Sequence, residues 1–147
     1  MKSLLLLCLS VALLGATCLD TAAQSACSVN VHVDGFRNQK GALAVTVFGS
    51  PNGWPEDNDK AIVHQSFEIG PDGATAQFSL PAGRYSIAVL HDENDNHKLD
   101  RNLLGIPKEG FGFSNNPAVG LSAPQFAAAA VQVSCPSTNL SIHLTYK

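Results

Sequence analysis

Beyond its N-terminal stretch the chain contains no apolar run long enough to cross a bilayer as a helix, so no later transmembrane segment is expected. Charge is also sparse: nine Lys and Arg against twelve Asp and Glu give a formal charge of -3. Arg37, Lys40, Lys60, Arg84, Lys98, Arg101 and Lys108 are scattered rather than gathered into a stripe, so the electrostatic footprint of a nucleic-acid binder is missing. Ser114 lacks the Gly-x-Ser-x-Gly elbow of a hydrolase nucleophile. Gly105, Gly110 and Gly112 are not followed by the Lys-Ser or Lys-Thr of a phosphate-binding loop. His32, His64 and His143 have no Cys, Met or Asp at ligand spacing, which argues against a zinc or copper centre and for solvated side chains.

What is present begins with Met1-Lys2, the apolar stretch Leu4 to Leu14, and then small and polar residues. That order is the charged, apolar and cleavage pattern of a secretory signal peptide, expected to span 1–23 with cleavage after Ala23. The mature protein is then periplasmic or secreted, and residues 24–147 make one domain, being enough for one core and too few for two. Cleavage removes Cys8 and Cys18 and leaves Cys27 and Cys135. An oxidising compartment and an even count favour a disulfide between these two, joining the ends of the chain. The rival reading takes Ser25-Ala26-Cys27 as the end of a lipobox, with Cys27 lipidated and Cys135 left alone, although Gln24 stands where an aliphatic residue is expected.

Period-two alternation dominates the mature chain. Val29, Val31 and Val33 alternate with Asn30, His32 and Asp34; Leu43, Val45 and Val47 follow Gly41; Val63, Phe67 and Ile69 alternate with His64, Ser66 and Glu68. Tyr85, Ile87 and Val89 repeat the pattern, as do Leu140, Ile142, Leu144 and Tyr146. Turn signals at Gly35, Pro51-Asn52-Gly53, Pro71-Asp72-Gly73, Pro81-Ala82-Gly83 and Pro136 separate these runs. The spacing predicts an all-β protein: an antiparallel immunoglobulin-like or prealbumin-like sandwich of about seven strands. Phe126 to Ser134 is read as a strand despite its four alanines, because Val131-Gln132-Val133 alternates and a helix so short is marginal alone.

The exception to regular spacing runs from Asp92 to about Gln125, too long for an ordinary connection in a compact domain. Within it, Asp92, Asn94 and Asn96 place side-chain oxygens at every second position, Lys98 offers a backbone carbonyl, and Asp100 follows. This alternation lets a bent segment wrap a hard cation, so the six residues Asp92, Asn94, Asn96, Lys98, Asp100 and Glu109 form a candidate calcium set, with Glu109 closing it. A complete helix-flanked loop is excluded, since Leu103 stands where its bidentate glutamate belongs. The alternative is a metal-free turn in which Asp and Asn side chains bond their own backbone. Phe111 and Phe113 are available to anchor the excursion on the sandwich rim. Gly105, Gly110, Gly112, Asn115 and Asn116 suit its tight turns, and His91, sharing parity with Ile87 and Val89, points inward and ties it down through a ring nitrogen.

His91-Asp92-Glu93-Asn94, Lys98-Leu99-Asp100, Gly105-Ile106-Pro107 and Glu109-Gly110-Phe111-Gly112-Phe113-Ser114-Asn115-Asn116 occur in order after Gly41, Gly53-Trp54-Pro55 and Pro81-Ala82-Gly83-Arg84-Tyr85. With these motifs the chain resembles a bacterial extracytoplasmic family catalogued as domain of unknown function 2141. The resemblance implies a β-sandwich and no particular activity. Such families usually carry glycine after the second asparagine of the acidic loop, where this sequence has His97. Three functional classes follow. The leading one is a non-enzymatic extracytoplasmic module whose 92–116 loop binds or organises, with calcium as its candidate cofactor and an extracytoplasmic ligand or protein as partner. The second is an envelope enzyme using His91 with Asp92 or Glu109 as acid and base. The third is a structural accessory that binds protein along a strand edge. Trp54, beside Glu56-Asp57-Asn58-Asp59, either caps the core or stacks on a sugar.

Overall fold

The computed structural model describes residues 25–120 and 122–147, so the expected signal peptide lies outside the described residues. Among the described residues there are eight strands: β1 Ala26–Asp34, β2 Ala42–Phe48, β3 Val63–Phe67, β4 Ala74–Pro81, β5 Gly83–Asp92, β6 Gly110–Phe113, β7 Ala130–Val133 and β8 Ser137–His143. One helical turn, α1 Phe126–Ala129, precedes β7. The strands form two sheets, one ordered β4-β1-β8 and the other β3-β2-β5-β6, with β7 also paired to β5. The ten-residue β5 thus serves two partners along one edge: Gly83 to Ser86 pair with β7, and Ala88 to His91 pair with β6.

The alternation read from the sequence builds this core directly. Along β1 the residues Cys27, Val29, Val31 and Val33 are fully buried, and along β4 Ala74, Ala76, Phe78 and Leu80 face them across the same sheet. Leu43, Val45, Val47, Ile87, Val89 and Val133 supply the opposing layer, while Ile142 of β8 extends the first sheet's inner face and Leu144 follows it into the same core. Cys27 and Cys135 form a disulfide across 108 positions of sequence. Its sulfur is the atom a lipid anchor on Cys27 would need, so bridge and lipidation exclude each other.

The all-β, largely antiparallel expectation holds, with three differences of detail. The eighth strand, β6, lies inside the excursion, where Gly-Phe-Gly-Phe carries no polar–apolar alternation. The stretch 126–134 is neither all strand nor all helix, but one helical turn continuing into β7. Finally, β1 and β8 run parallel rather than antiparallel, with Val31 opposite Leu140 and Val33 opposite Ile142. A strand's side-chain period is two in either direction, so alternation does not report the sense of pairing.

Candidate functional site

The 92–116 excursion is a folded lobe organised around two buried carboxylates. Asp92, at the end of β5, is 1% exposed and accepts the backbone N–H of Asn96 at 3.1 Å and that of His97 at 2.7 Å. Glu109, entering β6, accepts Glu93 N–H on one oxygen and Asp100 N–H on the other, both at 3.0 Å. One side chain thus fastens both limbs of the lobe, and charge-assisted bonds to amides are the strong kind. Between them, Asn94 and Asn96 donate their amide groups to the two oxygens of Asp100 at 2.7 and 3.1 Å. Asn94 and Asn96 also accept from the backbone two positions on, at Asn96 and Lys98. These are Asx turns, which let the chain close on itself.

The sequence pattern offers Asp92, Asn94, Asn96, Lys98, Asp100 and Glu109 to calcium. In this arrangement Asp92 and Glu109 direct their oxygens at backbone amides, and the two asparagines turn donors, not acceptors, toward Asp100. Among the described residues no three His, Cys, Asp or Glu side chains come close enough together to hold a metal ion. In this arrangement the lobe closes through hydrogen bonds of its own.

His91 is fully buried. Its Nε2 lies 2.8 Å from the Lys40 carbonyl, an acceptor only, so Nε2 carries a proton and donates it there, while Nδ1 shares a hydrogen bond with the Tyr146 hydroxyl at 2.7 Å. Both nitrogens are engaged, and neither faces solvent. Burial pushes the Tyr146 phenol up, opposed by the N–H that Arg37 donates to it and reinforced by the nearby Glu93 carboxylate. Glu93 closes the same cluster. Burial alone would raise its carboxyl, but hydrogen bonds from Asn38 and Arg37, with the Arg37 charge, hold it below the ordinary glutamate range. Arg37 also donates to the Lys108 carbonyl, pinning the far limb of the lobe to the β1–β2 loop.

Other loop residues act by contact. Phe111 and Phe113 are buried on the outer face of the larger sheet, packed with Ala129, Trp54, Ala88, Leu99 and Val119 in a second, smaller core. Trp54 donates Nε1–H to the Pro124 carbonyl at 2.8 Å and meets Phe48, Phe113 and Phe126, so it caps this core. Gly110 lies under the Tyr146 ring, where a Cβ would collide with it. Gly112 sits against Ile142, and Gly105 turns the Asn102–Ile106 hairpin at φ 78°. Asn115 donates to the Ala128 carbonyl, and Asn116 bonds both the Ser141 carbonyl and the His143 N–H. Ser114 is buried, donating to the Ala129 carbonyl and accepting from Ile87 N–H, which occupies its hydroxyl structurally.

Sequence reasoning missed the open pocket that the lobe borders. Between the lobe and the outer face of the larger sheet is a cavity of about 420 Å³. Ala44, Thr46, Ala88, Leu90, Phe111 and Phe113 form its floor. His64, His97, Lys98, Leu99 and the Glu56–Arg101 ion pair form its walls. That pair ties the lobe to the Trp54 loop. His97 adopts φ 61°, so the left-handed turn is kept where glycine is usual, and the side chain is held with its ring 6.3 Å from that of His64, edge to face. One sequence signal did exist: β2 reads Ala-Leu-Ala-Val-Thr-Val-Phe, apolar at both parities, which marks a strand covered on both faces.

Fold and site together define a two-sheet β protein with a polar lobe roofing a cavity on the outer face of one sheet. The chain belongs to the family described as an uncharacterized protein conserved in bacteria, domain of unknown function 2141, whose profile matches residues 31–141. No curated protein and no solved structure matches it.

Proposed function

We propose that this protein is a non-enzymatic, extracytoplasmic binding module. The 92–116 lobe is set in shape by its own carboxylates and asparagines and serves as one wall of a small-molecule site. The observation that carries this reading is the cavity of about 420 Å³ with an apolar floor and a few polar groups on one side, the usual composition of a ligand pocket. The disulfide favours an oxidising compartment. Catalysis by His91 is disfavoured because both ring nitrogens are spent inside the fold, and Asp92 and Glu109 are spent on backbone amides.

Amide chemical-shift mapping with a small-fragment library tests the proposal. Perturbations are expected to gather at Thr46, His64, His97, Leu99 and Phe111. Fragments that bind only elsewhere, or none at all, contradict it. A parallel calcium titration followed by melting temperature separates the two readings of the lobe. A self-closed lobe shows no rise through several millimolar, whereas a native-state calcium site must raise the midpoint once its dissociation constant is passed.

A further inference from the structure

The cavity's walls carry an electrostatic bias that its floor does not. Glu56 is the one carboxylate among the lining residues, and it is consumed by the Arg101 guanidinium, which grips both its oxygens. Lys98 makes no ion pair among the described residues. The His64 ring is held through Nδ1 by the Thr46 hydroxyl at 3.1 Å, which leaves Nε2 as its outward nitrogen. His97 stands opposite, its Nδ1 3.8 Å from the buried Asp92 carboxylate, which leaves Nε2 for a ligand, and in a backbone conformation that a side-chain-bearing residue enters only at a cost. One unmatched cation and two imidazoles therefore border a floor of methyl groups and aromatic rings.

We propose that this cavity takes a small monoanion with an apolar body, a carboxylate, its head between Lys98, His64 and His97 and its body over Ala88, Phe111 and Phe113. The inference rests on the reading of the cavity as a ligand site and adds the class of ligand. A carboxylate accepts from imidazole N–H and ammonium donors alike, and a single charge matches the single unpaired lysine. A cationic analogue would meet Lys98 with like charge and find no free acid to receive it.

Three probes of similar size decide this: phenylpropanoate, its isostere phenylpropanamide, and phenylpropylammonium, titrated into the oxidised mature protein by amide shift mapping. The carboxylate is expected to bind at the cavity at least tenfold more tightly than the amide, with the ammonium weakest. Lys98→Gln should lower the preference for carboxylate over amide several-fold. His97→Gly should lower it too while leaving the melting temperature equal or higher, since glycine relieves the left-handed backbone and the amide at 97 still reaches Asp92. Loss of preference in that variant therefore reports the missing imidazole and not misfolding. If carboxylate and amide bind the cavity equally, the ligand class is wrong; if both variants keep the wild-type preference, the placing of its head at Lys98 and His97 is wrong; either result overturns the proposal while the site stands. If none of the three perturbs cavity resonances, the site reading falls with it.

Discussion

Single side chains in the lobe have work that can be removed one at a time. Glu109→Ala strands the N–H groups of Glu93 and Asp100 and should cost about 2 to 3 kcal/mol in chemical denaturation, because two partly buried donors lose a buried, charged acceptor. Glu93 supplies a pH test. Its folded carboxyl releases its proton more readily than the unfolded one, so its stabilisation is fully present above the unfolded value and is lost as pH falls through the folded one. Wild type should therefore be more stable than Glu93→Gln at neutral pH. Melting curves of the two should converge as pH drops below the ordinary glutamate range; a gap that stays constant with pH would contradict the assignment.

At the scale of elements, β6 is held by what lies over it. A methyl group at position 110 would strike the Tyr146 ring, so Gly110→Ala should destabilise by about 1 to 3 kcal/mol and disturb the His91–Tyr146 bond. Tyr146 ring resonances read this directly. The same strand shows where sequence reading stops. Valines at every second position made β1 legible, and oxygens at every second position made the lobe legible, because each is a local pattern. Gly-Phe-Gly-Phe became a strand only by pairing with β5, and α1 gave way to β7 only where Ala130 meets Ser86. The cavity was hidden for the same reason. His64 lies on β3 and His97 in the lobe, and nothing local brings them together. The apolar outward positions of β2 said that something covered that face, but not what.

Across the whole molecule, the disulfide and the lobe act on different parts of the stability. The bridge joins the start of β1 to the turn before β8, closing nearly the entire domain, so Cys27→Ser with Cys135→Ser should cost roughly 2 to 5 kcal/mol, largely through the unfolded chain. The two sheets should survive that change, since their facing valines and leucines remain packed. The lobe depends instead on its own polar groups, and the account rests on its being ordered without a metal. Amide hydrogen exchange of the oxidised protein in excess chelator tests this most directly. The N–H groups of Glu93, His97 and Asp100, each bonded to a carboxylate, are predicted to be protected there, and added calcium to leave their rates unchanged. Rapid exchange at all three in chelator, with protection appearing only when calcium is added, would contradict it.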